Sequence, residues 1–223
     1  MIQIRIWDWP TRIFHWSLAL LILALVVTGN VGGNAMVWHF RCGYAVLSLL
    51  IFRFIWGFCG GHWSRWRQFA CTPELIWQYF KTSSSPSTFL GHNPAGSLSV
   101  IAMLTFLVLQ VSTGLFSDDE IFNAGPLASL VAQSSVSLAT WWHKGFGKSL
   151  IFLLVAVHLL AILWYFLKKK QNLTIAMLKG DKTAAQAAPS SQDGPANWLL
   201  AALCLMLSAS LVYVLINLGA TAG

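Results

Sequence analysis

Residues Trp141–Leu167 read WWHKGFGKSLIFLLVAVHLLAILWYFL, an apolar run with two histidines and no acidic side chain. A stretch this long and this apolar spans the hydrocarbon core of a bilayer as a helix, the form that satisfies its own backbone in lipid. His143 and His158 are 15 residues apart in it. At 1.5 Å and 100° per residue, they lie about 22 Å apart in depth and about 60° apart in direction. One helix therefore carries an imidazole near each membrane face.

Working outward, four more apolar runs predict helices over Ile13–Gly29, Val37–Phe58, Leu98–Phe116 and Asn197–Leu218. Composition agrees: 57% of the 223 residues are hydrophobic and only 9% charged, which excludes an ordinary soluble domain. The fold class expected is all-α, a polytopic membrane protein with a four-helix bundle and a fifth, C-terminal transmembrane helix. The first run is longer than a signal-peptide core and no small-residue cleavage site follows it, so it is read as a retained helix. A polar stretch rich in Ala, Ser, Gln, Asp and Pro follows the fourth helix. It divides the chain into a bundle domain at 1–182, a cytoplasmic linker at 183–196 and an added helix at 197–223.

The net charge of +7 is a topological signal. Arg5, Arg12, Arg65, Arg67, Lys81, Lys168, Lys169, Lys170, Lys179 and Lys182 fall on one side of a five-helix path. The other side has Arg41, Lys144 and Lys148 beside Asp118, Asp119 and Glu120. The positive-inside rule then puts the N-terminus in the cytoplasm and the C-terminus outside. No soluble region is large enough to build a nucleic-acid-binding face, so that partner is set aside.

With this topology the histidines pair by depth. His15 and His158 lie at the cytoplasmic level, and His39 and His143 at the outer level. Imidazole is a good iron ligand, and helix bundles hold haem between facing helices, so two bis-histidine haems are the economical explanation. The alternatives fit less well. Interhelical polar contacts do not require four matched depths. A zinc site needs ligands clustered at one depth. A proton relay wants Asp or Glu within the spans. Cys42, Cys59, Cys71 and Cys204 have no CxxC spacing, and CxxCH is absent, so any haem is held non-covalently. His62 and His92, in the loop region, are read as structural.

Haem propionates need cations at the membrane face. The candidates are Arg53 and Arg12 at the cytoplasmic level and Arg41 and Lys144 at the outer level. Arg53 is the sharpest, because an arginine inside an apolar helix is costly unless paired or snorkelling to lipid phosphate. Trp7, Trp9, Trp16, Trp38, Trp63, Trp141 and Trp142 are read as an interfacial belt.

Six stretches carry a family resemblance: WDWPTRIFHW (Trp7–Trp16), HFRCGY (His39–Tyr44), FRFIWG (Phe52–Gly57), GHNPAG (Gly91–Gly96), TGLFSDDEIFNAGPL (Thr113–Leu127) and the segment with His143 and His158. The chain resembles the bacterial cytochrome b561 family, in the branch related to the b-type cytochrome subunits of nickel-iron hydrogenases. The resemblance puts the family's four haem ligands on His15, His39, His143 and His158. It implies two haem b groups and electron transfer between a quinone pool in the bacterial inner membrane and a soluble redox partner. That partner is a periplasmic c-type cytochrome or an oxidoreductase subunit, and a family relative that oxidises superoxide and passes the electron to quinone marks a further option. Against this quinone-linked oxidoreductase stands a non-catalytic class, a haem-bearing membrane anchor that wires a separate catalytic subunit to quinone. The fifth helix lies beyond the core of the smallest members and offers a surface for oligomer formation.

Overall fold

The computed structural model describes residues 2–69, 72–81, 89–184 and 186–219. Five helical segments in it are long and apolar enough to cross a membrane. They are α1 (Trp9–Val31), α2 (Met36–Cys59), α4 (Pro94–Phe116), the continuous pair α5 (Gln133–Trp141) and α6 (Gly147–Lys168), and α8 (Pro195–Leu218). The protein is an all-α polytopic membrane protein. Large apolar side chains such as Leu20, Leu23, Leu153, Leu160, Leu163, Leu207 and Leu211 point away from the protein. That outward apolar surface is what lipid, rather than water, solvates.

Shorter elements among the described residues include strand β1 (Ile2–Arg5), helix α3 (Pro73–Lys81), helix α7 (Leu173–Lys179) and strand β2 (Asp181–Ala184). The strands pair antiparallel, with Ile2 opposite Ala184 and Arg5 opposite Asp181. This two-stranded sheet is an addition to the all-helical expectation.

Several helix ends differ from the hydropathy boundaries for local reasons. Helix α1 begins at Trp9, four residues before the apolar run, because Asp8 caps it by accepting from Thr11 N at 2.8 Å. Pro10 is well suited to that first turn, where a missing N–H costs nothing. The fourth span begins at Gln133 rather than Trp141, and its α-helical hydrogen bonding is interrupted by one π-helical turn over Trp142–Phe146. Such a turn inside a long helix frequently marks a functional position, and this one holds His143.

The chain forms two compact units. The first comprises residues 1–15, 53–103 and 155–203; the second comprises 16–52, 104–154 and 204–223. Each long helix gives part of its length to each unit.

In the first unit, Asp8 is fully buried and ties three segments together. Besides capping α1 it accepts from Gly61 N at 3.0 Å, Ser64 Oγ at 2.9 Å and Trp56 Nε1 at 3.3 Å. The stretch 183–196, polar by composition, is fastened to the N-terminal segment. Ser191 N donates to Arg5 O, Ser191 Oγ to Ile6 O, and Trp9 N to Asp193. Arg5 forks between Asp181, at 2.6 Å, and Asp193. These charge-assisted bonds hold the Arg5 guanidinium pKa above its usual value. Gly180 ends α7 at φ +88, a left-handed turn, and its carbonyl accepts from both Ile6 N and Trp7 N. Ile4, Ile6, Trp7 and Ala184 form a small core beneath this clasp.

In the second unit, the acidic turn is built around Asp119. Its carboxylate accepts from Ile121 N, Phe122 N, Asn123 N and Asn123 Nδ2. Those bonds, the Asn123 side chain first, hold its carboxyl well below the usual carboxylate range. The turn leaves Ile121 and Phe122 fully in the open. Among the described cysteines, Cys42, Cys59 and Cys204 remain as thiols. Cys71 lies outside the described residues.

Candidate functional site: two facing imidazole pairs

Each unit contains one pair of facing histidines. In the second unit the rings of His39, near the start of α2, and His143, in the π-helical turn, have centroids 6.2 Å apart and planes at 88°. In the first unit His15 of α1 and His158 of α6 stand 6.5 Å apart at 51°. One metal ion between two imidazole nitrogens, bonded at roughly 2.0–2.1 Å on opposite sides, puts ring centroids about 6 Å apart. Both separations match that span, so both pairs fit axial ligation. Among the described residues no group of three His, Cys, Asp or Glu side chains converges as a metal site. Two facing imidazoles at this spacing would complete the coordination of an iron whose other ligands come from a porphyrin.

The second unit prepares its imidazoles in detail. His143 Nδ1 donates to Gln110 O at 2.7 Å, and His39 Nδ1 donates to Leu25 O at 3.0 Å. A carbonyl only accepts, so each Nδ1 carries the proton and each Nε2 keeps its lone pair for a metal. A second contact holds His143 in place: Gln110 Nε2 donates to the His143 carbonyl at 2.8 Å. The π-helical turn belongs to this clamp, since Gly147 N reaches back five residues to Trp142 O. Space is reserved by glycine. A Cβ on Gly114 of α4 would stand 2.8 Å from His143 Cε1, and one on Gly29 of α1 would stand 3.0 Å from His39 Cε1. Each ring packs on a bare backbone of the neighbouring helix.

The cations divide between the units. In the first, Arg53 is 4% exposed, its Nη1 is buried without a hydrogen-bond partner, and its guanidinium lies over the Trp66 ring at 4.4 Å. Arg12, equally buried, stacks on Trp9 at 4.0 Å and donates to Met177 O. It lies three residues before His15 in α1, which puts their side chains on one face. In the second unit Arg41 is exposed and turned onto Trp38, and Lys144 is exposed. An unsatisfied guanidinium nitrogen inside a protein is costly, and a propionate carboxylate fits the Arg53 position.

Two residues of the first unit were not legible as site residues. His92 is enclosed between Trp7, at 4.6 Å, and Phe69, at 4.9 Å. Burial, and then the charges of Arg53 and Lys182, push its pKa down to about 3, so it is a neutral imidazole. Lys182 Nζ donates to Leu90 O at 2.8 Å, and burial lowers its pKa too. No periodicity marks a lysine on a four-residue strand. His62 packs edge-on against Trp63. Nearby, Asn93 Nδ2 donates to Tyr165 Oη, which in turn hydrogen-bonds Tyr79 Oη, both at 2.5 Å. The GHNPAG motif is thereby joined to the end of α6.

Apolar spanning helices with imidazoles facing each other at axial-ligand separation are the arrangement of a membrane haem electron-transfer protein. The particular family follows from comparison: the sequence profile of prokaryotic cytochrome b561 matches residues 6–180, and the chain belongs to that family. Curated relatives carry a consistent name. A probable Ni/Fe-hydrogenase B-type cytochrome subunit of Bradyrhizobium diazoefficiens is 23% identical over 216 residues, covering 80% of this chain and 85% of the relative. One of the same name from Rhodobacter capsulatus is 27% identical, covering 81% and 82%. The probable Ni/Fe-hydrogenase 1 B-type cytochrome subunit of Escherichia coli K12 is 27% identical over a shorter stretch, 49% of this chain and 57% of its own. No solved structure matches. The protein is a multi-pass bacterial membrane protein that binds b-type haem and transfers electrons.

Proposed function

We propose that this protein is a di-haem b-type cytochrome carrying electrons between the membrane quinone pool and a periplasmic or membrane-associated redox partner. The observation that carries the reading is the pair of ring separations, 6.5 Å for His15 with His158 and 6.2 Å for His39 with His143. His15, His39, His143 and His158 are the proposed axial ligands. Bound haem supplies one-electron chemistry at iron; the protein supplies ligands, a low-dielectric wall and charge partners. Arg53 and Arg12 are the proposed propionate partners in the first unit, and Arg41 and Lys144 in the second. The basic loops support an orientation with the N-terminus in the cytoplasm and the C-terminus in the periplasm. On that orientation the turn Asp118–Glu120 lies at the outer face, where three carboxylates attract a basic electron carrier.

A second reading has its own support. The names of the relatives assign them to hydrogenases as subunits, which favours a haem-bearing membrane anchor that connects a catalytic subunit to quinone. Quinone reduction by the lone polypeptide with a chemical donor separates the two. Activity alone supports the first reading, and inertness until an oxidoreductase subunit is added supports the second.

The haem reading is tested by a pyridine haemochrome assay and an optical spectrum on the purified protein. The expected result is close to two non-covalent haem b per chain, both low-spin. A content near one, or a high-spin ferric spectrum, overturns it.

A further inference from the structure

Beside the end of the fourth span, two short helices of the first unit expose large apolar side chains. Helix α3 presents Trp77, 64% exposed, together with Leu75, and α7 presents Ile175 and Leu178. Both helices are fixed to that end. Tyr79 of α3 hydrogen-bonds Tyr165 of α6 through their hydroxyls at 2.5 Å. On the other side Lys169 N and Gln171 N both donate to Tyr165 O, Lys170 takes a left-handed φ of +54, and Asn172 caps α7 by accepting from Ile175 N at 3.0 Å. The apolar side chains are therefore held at the level where the apolar span ends, and they continue the outward surface of Leu163 and Leu167 on α6.

Lysines accompany these side chains. Lys81 follows Trp77 by one helical turn and holds its ammonium over that ring at 4.8 Å. Lys168 and Lys170 are exposed at the end of α6, and Lys179 is exposed one turn after Ile175 on α7. Among the described residues none of the four is in an ion pair, since both ion pairs belong to Arg5. The carboxylate of α3, Glu74, sits in its first turn, where the helix dipole favours it. A lysine stem covers apolar surface while its ammonium stays among polar groups, and tryptophan settles at headgroup level. Apolar side chains interleaved with unpaired lysines are the mark of helices lying in the plane of a charged bilayer surface. A soluble protein would reach these side chains only by displacing the lipid that solvates α6, and an uncharged headgroup would leave four cations without counter-charge.

We propose that α3, α7 and the end of α6 form a docking surface for anionic phospholipid. Leu75, Trp77, Ile175 and Leu178 enter the upper acyl region, and Lys81, Lys168, Lys170 and Lys179 meet the headgroup phosphates. The ligand is leaflet lipid rather than free phosphate, because the apolar half of the surface contributes nothing to holding a soluble anion. The bound lipid also bears on the first unit's packing. From Tyr165 the hydrogen-bonded chain runs on to Asn93, which donates to Tyr165 Oη at 2.5 Å and accepts from Gly96 N at 2.7 Å in the first turn of α4. Lipid that steadies α3 therefore steadies the junction of α4 and α6.

The test uses the full-length haem-loaded protein in detergent, titrated by native mass spectrometry with phosphatidylglycerol and with phosphatidylcholine of the same acyl chains. A lysine near an anionic surface is worth about a fivefold preference, so four of them should favour phosphatidylglycerol by at least about tenfold. Changing Lys81, Lys168, Lys170 and Lys179 together to Gln should remove most of that preference, whereas changing the same four to Arg should keep it. Glycerol phosphate should not displace the lipid. A second measurement needs no lysine variant: amide hydrogen exchange in α3 and α7 of the wild type should be slower in phosphatidylglycerol nanodiscs than in phosphatidylcholine nanodiscs, and Trp77→Ser should cancel the difference in α3. Equal affinity for the two lipids, or equal exchange in the two nanodiscs, would overturn the proposal and leave the lysines as topological charge alone. Displacement by glycerol phosphate would overturn it in favour of a soluble-anion site. Protection of α3 and α7 that ignores lipid charge and arises on adding a soluble oxidoreductase subunit would overturn it in favour of a protein-docking face.

Discussion

Gly114→Ala is a minimal perturbation whose effect follows from the packing of His143 on α4. The added methyl carbon would stand 2.8 Å from His143 Cε1 and 3.1 Å from Nδ1, where ordinary carbon contacts lie at about 3.5–4.0 Å. Relief requires the ring to retreat by roughly 0.7–1.2 Å along that line, measured against the same contact range. The ring has little freedom to do so. Its Nδ1 is bonded to Gln110 O at 2.7 Å, and its own carbonyl is held by Gln110 Nε2 at 2.8 Å. Metal–nitrogen bonds tolerate only about ±0.2 Å, so a displacement of this size breaks the bond or strains the backbone. Overpacking of this kind costs about 1–3 kcal/mol, equivalent to a roughly 5- to 140-fold weaker hold on haem at this pair. Gly43→Ala in α2 is the control, because a Cβ there meets nothing within 4 Å. The assay is haem content by pyridine haemochrome together with the low-spin optical bands after detergent washing. Gly114→Ala should lose low-spin signal from the His39–His143 site and keep the other, whereas Gly43→Ala should match wild type. Two full low-spin haems in Gly114→Ala would refute the packing argument.

Further outcomes follow from other residues. His39→Ala or His143→Ala should remove one spectral component and His15→Ala or His158→Ala the other; depletion of the same component by His15→Ala and His39→Ala would mean the pairs are drawn wrongly. Asp8→Ala should leave several buried donors without an acceptor and destabilise the folded protein by about 2–5 kcal/mol, read as a large drop in thermal midpoint in nanodiscs; a loss under about 0.5 kcal/mol would rule out the tie as described. Because the His92 pKa is depressed in the fold to about 3, the unfolded chain takes up a proton below about pH 6.5 that the folded chain refuses, so stability falls as pH drops from 6.5 towards 3. His92→Phe should flatten that slope in thermal melts between pH 6.5 and 5, and an unchanged slope would count against a neutral buried His92. Replacing Asp118, Asp119 and Glu120 by Asn, Asn and Gln should slow electron exchange with a basic cytochrome c at low salt and flatten its dependence on ionic strength; equal rates across a salt series would confine the turn to a structural role.

The sequence by itself determined the class of the protein, because bilayer insertion depends on a local property: about 20 contiguous apolar residues, readable one segment at a time. It also determined which imidazoles can face each other, since helix rise and alternating topology assign depth without knowledge of packing. The family could be read as well, because its motifs are short and contiguous. Tertiary structure alone decided the surroundings of those imidazoles. Arg5 meets Asp181 across 176 positions, Trp63 meets Pro189 across 126, and Gln110 meets His143 across 33. Such contacts have no period and no local propensity. They arise when the folded chain brings distant polar groups together: strand pairing for Arg5, loop packing for Trp63, and helix packing for Gln110, where lipid offers no alternative partner. The π-helical turn at His143 and the bare glycine beneath it belong to the same category. Neither is encoded by hydropathy, and both depend on how closely α4 approaches the fourth span.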